Sequence, residues 1–160
     1  MSAPAIAWQI HDENAGHIGY NAYYTVRHVM EDLGIFFAAD AYAALSGIEL
    51  VDVTPGRAKV RMKIRDLHKN SHGTVHGGAI FTLADAAFAL ASNSHGIPAA
   101  AISASITFMK SARAGTLIAE AEEFAANPKL ATYTVTVTDG DGERIALFQG
   151  MVYRKSQAVK

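Results

Sequence analysis

The sequence predicts an α+β domain in which an antiparallel sheet curls around one long helix. Three observations point there. Residues Gly77 to Ser94 form a helix-length apolar segment with almost no polar face. A hairpin pattern precedes it, and four strand patterns follow it. A helix that is apolar on every side must be wrapped, and in a chain of 160 residues the strands are what is left to wrap it.

The elements follow in order. Residues 1–20, with Asn14, Gly16 and Gly19 spaced through them, have the pattern of a poorly structured arm. Tyr23, Val26, Val29, Met30 and Leu33 keep helical spacing from Asn21 to Asp32, and Gly34 is the expected stop. A second short helix is expected over Phe36 to Leu45, ended by Gly47. Ile48 to Thr54 has the pattern of a strand, and Pro55-Gly56 marks a turn. Ala58, Val60, Met62 and Ile64 then alternate with Lys59, Arg61 and Lys63, as in a half-exposed strand. His68 to Val75 is polar and contains Gly73, which predicts a loop before the long helix. Strands are expected at Ala99–Met109, Leu117–Phe124, Leu130–Thr138 and Arg144–Arg154. Asn127-Pro128 and the run Asp139 to Gly142 supply turns. No repeat or linker interrupts this order. The expected division is an N-terminal arm with helices over 1–44, the sheet-and-helix domain over 45–155 and a tail over 156–160.

Composition narrows the function. Fourteen basic and fifteen acidic residues leave a net charge of −1, so no basic excess argues for nucleic acid. Cysteine is absent, which excludes disulfides, thiolate catalysis and cysteine-bound zinc. Met1 to Ile10 lacks the basic-then-apolar pattern of a signal peptide, and the apolar stretch Gly77–Ile102 carries Asp85 at mid-helix with Gly96 and Pro98 beyond. A soluble, cytoplasmic protein without a membrane partner is expected.

Two features carry chemistry. Gly77 and Gly78 open the long helix, where unpaired backbone N–H groups and the positive end of the macrodipole can hold an oxyanion or polarise a carbonyl. The plainer alternative is that two glycines allow a tight turn or close packing. Asp85 is the single acidic residue between Asp66 and Glu120 and sits among alanines. A carboxylate in such surroundings is costly and should hold its proton more tightly, the condition in which catalytic groups are often found. Its plainer alternative is a structural Asp bonded across a subunit interface. Eight residues separate Gly77 from Asp85, roughly 12 Å along a helix axis. One small reacting group cannot touch both in a single chain, whereas a site shared across a two-fold dimer brings them together.

The run His76-Gly77-Gly78-Ala79-Ile80-Phe81-Thr82-Leu83-Ala84-Asp85-Ala86-Ala87-Phe88-Ala89 resembles the signature of hotdog-fold acyl-CoA thioesterases, nearest the phenylacetic acid degradation branch. Asn70, Asn93-Ser94 and the later Ser103…Phe108…Gly115 match as well, and the resemblance covers about Leu45 to Arg154. It implies a hotdog fold and a dimer, often a tetramer, with sites shared between subunits. The implied reaction is hydrolysis of an acyl-CoA thioester to free acid and coenzyme A. Coenzyme A would be part of the substrate, with no other cofactor and no metal. Carried over to this chain, Gly77 would donate its N–H to the thioester carbonyl, with Gly78 beside it at the substrate. Asp85 of the other subunit would act as nucleophile or general base. Asn70 would position water or substrate, His76 would shape the site, and Ser103 would lie near the acyl group. The resemblance suggests aryl or aryl-acetyl groups, and medium-chain acyl groups are the alternative. More distant relatives place a Thr one turn after the acid, where this chain has Ala89.

Other signals are weaker. His68, His72 and His76 recur every fourth residue, but in a loop that spacing makes no metal face. Lys110, Arg113 and Lys129 are candidates to meet coenzyme A phosphates, although for any single one ordinary solvated surface charge is the stronger reading. His95 suits a helix C-terminus. The alternatives to hydrolysis are a hotdog hydratase or dehydratase on enoyl or hydroxyacyl thioesters, and a non-catalytic acyl-CoA binding protein. Alkene hydration without thiol release, or tight binding without turnover, would mark them.

Overall fold

The computed structural model describes Val29 and residues 31–155. Residues 1–28, with most of the first expected helix, and the tail 156–160 lie outside the described residues. Residues 31–38 are helical (α1). They are followed by α2 (Ala41–Leu45), β1 (Ile48–Thr54), β2 (Arg57–Lys63), a 3-10 turn at Asp66–His68, α3 (Gly77–Asn93), β3 (Ala99–Phe108), β4 (Thr116–Ala126), β5 (Leu130–Thr138) and β6 (Arg144–Arg154).

The six strands form one curved antiparallel sheet in the order β1-β2-β4-β5-β6-β3. The segment β2–α3–β3 therefore carries the chain from one side of the sheet to its far edge, with α3 lying across the inner face. The alternation expected from sequence decides which residues face that helix. On β5, Ala131, Tyr133, Val135 and Val137 are buried while Thr132, Thr134, Thr136 and Thr138 turn outward. Val60 and Met62 of β2, Leu117 and Ala119 of β4, and Phe148 and Val152 of β6 complete the inner face. Phe88 lies at the centre, edge-on or tilted to Tyr133 at 5.6 Å and Phe148 at 5.4 Å.

Two sequence expectations are corrected. Gly34 does not end a helix. It lies inside α1 and is not among the glycines with positive φ, so it lacks the left-handed conformation of a C-terminal stop. The break falls at Ala39–Asp40, because Asp40 takes an extended conformation and its side chain accepts from the N–H groups of Tyr42 (3.0 Å) and Ala43 (2.9 Å), starting α2. Gly47, at φ +65°, does follow the end of α2 as expected. The long helix is also not buried on every side. Gly78, Thr82, Asp85, Ala89 and Asn93 form a stripe that the sheet of one chain leaves open.

The edge strand β3 accounts for that opening. Among the described residues it pairs only with β6, and most of its residues are exposed, including Ile102 at 56%. A ten-residue apolar edge is a surface that soluble proteins normally cover. At the opposite end of α3, His95 bonds Glu123 at 2.9 Å, and Glu123 also accepts from the buried Tyr133 hydroxyl at 2.6 Å.

Gly150 of β6 lies under the aromatic cluster, where a Cβ would stand 2.7 Å from Phe88 and 2.9 Å from Phe148. Gly150→Ala is expected to destabilise the protein by about 1–3 kcal/mol through overpacking, measured as a lower urea midpoint at unchanged slope.

Candidate active site

The start of α3 is built by the loop before it. Buried His68 anchors that loop. Its Nδ1 accepts from the Arg65 N–H at 3.0 Å, so Nε2 carries the proton and donates to the Ser46 carbonyl at 2.9 Å. Burial holds His68 below the usual imidazole value, with the Arg65 charge adding to it and the Ser46 bond opposing. The His68 carbonyl then accepts from the His76 N–H at 2.7 Å, and Val75 N–H bonds the Ala112 carbonyl at 2.9 Å. Asn70 closes the turn between them. Its Oδ1 accepts from the N–H groups of His72 (2.9 Å) and Thr74 (3.2 Å), and its Nδ2 donates to Thr74 Oγ1 at 3.0 Å. Asn70 is thus engaged with its own loop, and any contact with water or substrate has to use what those bonds leave.

His76 is the N-cap of α3. Its Nδ1 accepts from the Gly78 N–H at 2.9 Å. Its carbonyl accepts from the N–H groups of Ala79 (2.9 Å) and Ile80 (3.2 Å). Of the four N–H groups that open the helix, three are therefore satisfied, and among the described residues no acceptor meets the fourth, that of Gly77. The expectation that both glycines present free N–H groups is corrected to one. At Gly78 a Cβ would stand 3.0 Å from His76 Nδ1 and press on the cap. Gly77 opens into a groove of about 340 Å³ lined by Val75, Ile80, Phe108, Met109, Lys110 and Ser111.

Asp85 lies two turns further along α3 on the open stripe, half-buried, and no hydrogen bond reaches its carboxylate among the described residues. Burial raises its proton affinity above the ordinary carboxylate value, and the charge of Asp40 adds to this. Sequence reasoning missed Asp40 as a neighbour of the site. The N-capping pattern Asp-Ala-Tyr-Ala was a signal for the start of α2, but nothing local shows that α2 packs on α3. Ser103 is on the exposed edge strand opposite Met151, beside the irregularity between Ala101 and Ser103, and has no bond to Asp85 or Asn70 among the described residues. One chain thus assembles Gly77, Gly78, His76 and Asn70 at one end of α3 and leaves Asp85 apart. Of the three cations weighed for phosphate contact, Lys110 pairs with Glu143 (2.9 Å), Arg113 bonds the His72 carbonyl (3.3 Å), and Lys129 stands 5.9 Å above the Tyr153 ring. Among the described residues no helix is long and apolar enough to cross a membrane.

A curved antiparallel sheet around one helix, with a glycine N–H at the helix start and a carboxylate on its open stripe, is the arrangement of a hotdog-fold enzyme. Residues 72–146 match the thioesterase superfamily model. The chain is 35% identical over 116 residues to the acyl-coenzyme A thioesterase PaaI of Escherichia coli, covering 72% of this chain and 83% of that one. The structure of E. coli PaaI superposes with a TM-score of 0.79 at 30% identity, covering 84% and 99%. A point mutant of the phenylacetic acid degradation protein PaaI from Thermus thermophilus gives 0.70 at 39% identity, covering 72% and 100%. A Streptococcus mutans protein bound to acetyl-CoA gives 0.65 at 28% identity, covering 68% and 88%. The chain belongs to the thioesterase superfamily, and it is a thioester hydrolase.

The raised proton affinity of Asp85 has a consequence for stability. A carboxyl whose folded-state value lies above its unfolded one contributes stability that is fully present below the unfolded value, about 4, and is lost as pH rises through the folded value. Asp85→Asn is therefore expected to raise the thermal midpoint at pH 7–8, with the gain shrinking as the pH falls through the folded value towards about 4 and gone below it. Scanning calorimetry of both proteins across that range checks the sign.

Proposed function

We propose that the chain hydrolyses acyl-coenzyme A thioesters at sites shared across a two-fold dimer. Asp85 of one subunit and Gly77 of the partner subunit would stand on either side of the thioester carbonyl. The observation that carries this is the pair of groups on one helix that find no partner among the described residues: one helix-opening N–H and one half-buried carboxylate. They are roughly 12 Å apart along α3, too far for one carbonyl to use both in one chain. The long exposed edge of β3 and the open stripe of α3 supply the surface that a second copy would cover. The acetyl-CoA bound by the S. mutans relative and the name of the E. coli one support coenzyme A as the thiol.

In the reaction, the Gly77 N–H donates to the carbonyl oxygen and stabilises the charge that develops on it. Asp85 takes a proton from water as the water oxygen attacks the carbonyl carbon. The C–S bond then breaks, and the proton passes to the departing thiolate, giving free acid and coenzyme A. A half-buried carboxylate with raised proton affinity is better matched to general-base work near neutral pH than a solvated one. Attack by Asp85 itself, through a mixed anhydride that water then opens, uses the same geometry. His76 keeps the helix start open by capping Gly78. Asn70 holds the loop that carries His76, and Ser103 lies on the strand nearest the second copy. Aryl-acetyl and medium-chain acyl groups are the substrate class to test first.

Thiol release from aryl-acetyl, aromatic and aliphatic acyl-CoAs is expected for the wild type. In Asp85→Asn it should fall by about 10²-fold or more. A folded wild type that releases no thiol from any member would overturn the reading. Ile102→Lys, which places a charge on the β3 edge, is expected to yield a monomer by analytical ultracentrifugation, with hydrolysis lost along with the dimer.

A further inference from the structure

The last inward-facing residue of β3 does not pack on the sheet's core. Ile106 and Phe108 share one face of the strand, two residues apart. Ile106 packs against the buried cluster, but Phe108 lies beyond the start of α3 and remains 52% exposed. Its ring points tip-first at Gly77. A Cβ on Gly77 would stand 3.0 Å from Phe108 Cζ and 3.4 and 3.5 Å from the two Cε atoms. The strand end holding the ring is fixed: Phe108 pairs with Ala146, and the N–H groups of Met109 (2.9 Å) and Lys110 (3.2 Å) both bond the Ile145 carbonyl. Gly77 has a negative φ, so its backbone conformation does not demand glycine. The ring is what crowds the position.

We propose that Phe108 is a positioning residue of the active site. It forms the apolar wall of the slot in which the thioester carbonyl meets the Gly77 N–H, and it leaves little room for a side chain at position 77. The inference rests on the hydrolase reading above and deepens it. The ring stands against Gly77, whose N–H meets no acceptor among the described residues, and it lines the same groove as Val75, Gly77, Ile80 and Met109. An apolar wall there keeps water from competing for that N–H, and a hydrogen bond is stronger where water is excluded. The edge of an aromatic ring carries the positive part of its quadrupole, so a carbonyl oxygen accepting from Gly77 meets no electrostatic penalty from this wall. Removing the ring should therefore reduce transition-state stabilisation more than substrate binding.

The test is a double-mutant cycle on the full-length protein, with kcat and KM read separately on the acyl-CoA that the wild type turns over best. Thermal midpoint and dimer mass are recorded for each variant. Phe108→Ala is expected to lower kcat about tenfold or more with a smaller change in KM, and Phe108→Leu, which keeps an apolar wall, to retain most of the activity. Gly77→Ala keeps the N–H but is expected to lose about 10²-fold in kcat/KM, because its methyl displaces the ring. In the Phe108→Ala background the same substitution should cost no more than about threefold. Equal losses from Gly77→Ala in both backgrounds, or an unchanged kcat in folded Phe108→Ala, would overturn the role. A wild type without thioesterase activity defeats the hydrolase reading instead. The same cycle on the Kd for coenzyme A, by calorimetry, then decides Phe108: coupling between positions 77 and 108 supports the wall, and additivity overturns it.

Discussion

An α-helix whose side chains are apolar in almost every direction cannot remain in water, and the rest of this molecule is arranged around that constraint. Burying one large apolar side chain contributes about 1.5–3 kcal/mol, and α3 presents Ile80, Leu83, Phe88 and Leu90 along with five buried small residues. The sheet curves because its inner residues must reach these side chains from several directions. Its narrow inner positions are filled by alanine at 58, 119, 121, 131 and 146, and by Gly150 beneath Phe88. The size of the helix side chains and the smallness of the strand residues facing them are one packing problem with one solution.

A single sheet of six strands solves it incompletely. The chain enters α3 from β2 and leaves to β3 at the opposite edge, so the sheet covers the helix from one side and stops at β3. What is left open is a stripe of small or polar residues with Asp85 at its centre, rather than another apolar face. A charged residue is tolerable there because water still reaches it in one chain. Its raised proton affinity marks the remaining cost. Among the described residues, the same incompleteness that leaves Asp85 without a hydrogen-bond partner leaves the outer edge of β3 uncovered. A carboxylate and a strand edge left open on one side are the features that support the proposal of a site finished by two copies together.

The other end of α3 is organised by hydrogen bonds rather than by burial. Both ring nitrogens of His68, the side-chain amide of Asn70 and Nδ1 of His76 hold the loop or cap the helix, and among the described residues one N–H is left over. Asn70 and His76 were legible in the sequence as members of a family pattern. Their local roles were not, because a hydrogen bond between a side chain and a backbone group two or four residues away depends on the turn that the loop takes. His68 offered no signal beyond its place in a three-histidine spacing whose helical reading the loop voids.

The sequence by itself determined the elements and their faces. The Gly77 helix, the β1–β2 hairpin at Pro55-Gly56, and strands such as Leu130–Thr138 follow from periodicity and turn residues, which act over a few positions and need no distant partner. It also determined the family and the two chemically informative residues, since a lone Asp among alanines and a glycine pair before a helix are visible in one dimension. Only the tertiary structure decided the strand order, which places β3 at an edge and Asp85 on the uncovered side of its helix. It also decided that Asp40 rather than Gly34 breaks the N-terminal helices, that Gly78 serves His76 while Gly77 stays free, and that Phe108 stands against Gly77. These depend on contacts between residues far apart in the chain, whose energies are settled by packing and by the competition for each polar atom. No local pattern encodes that competition.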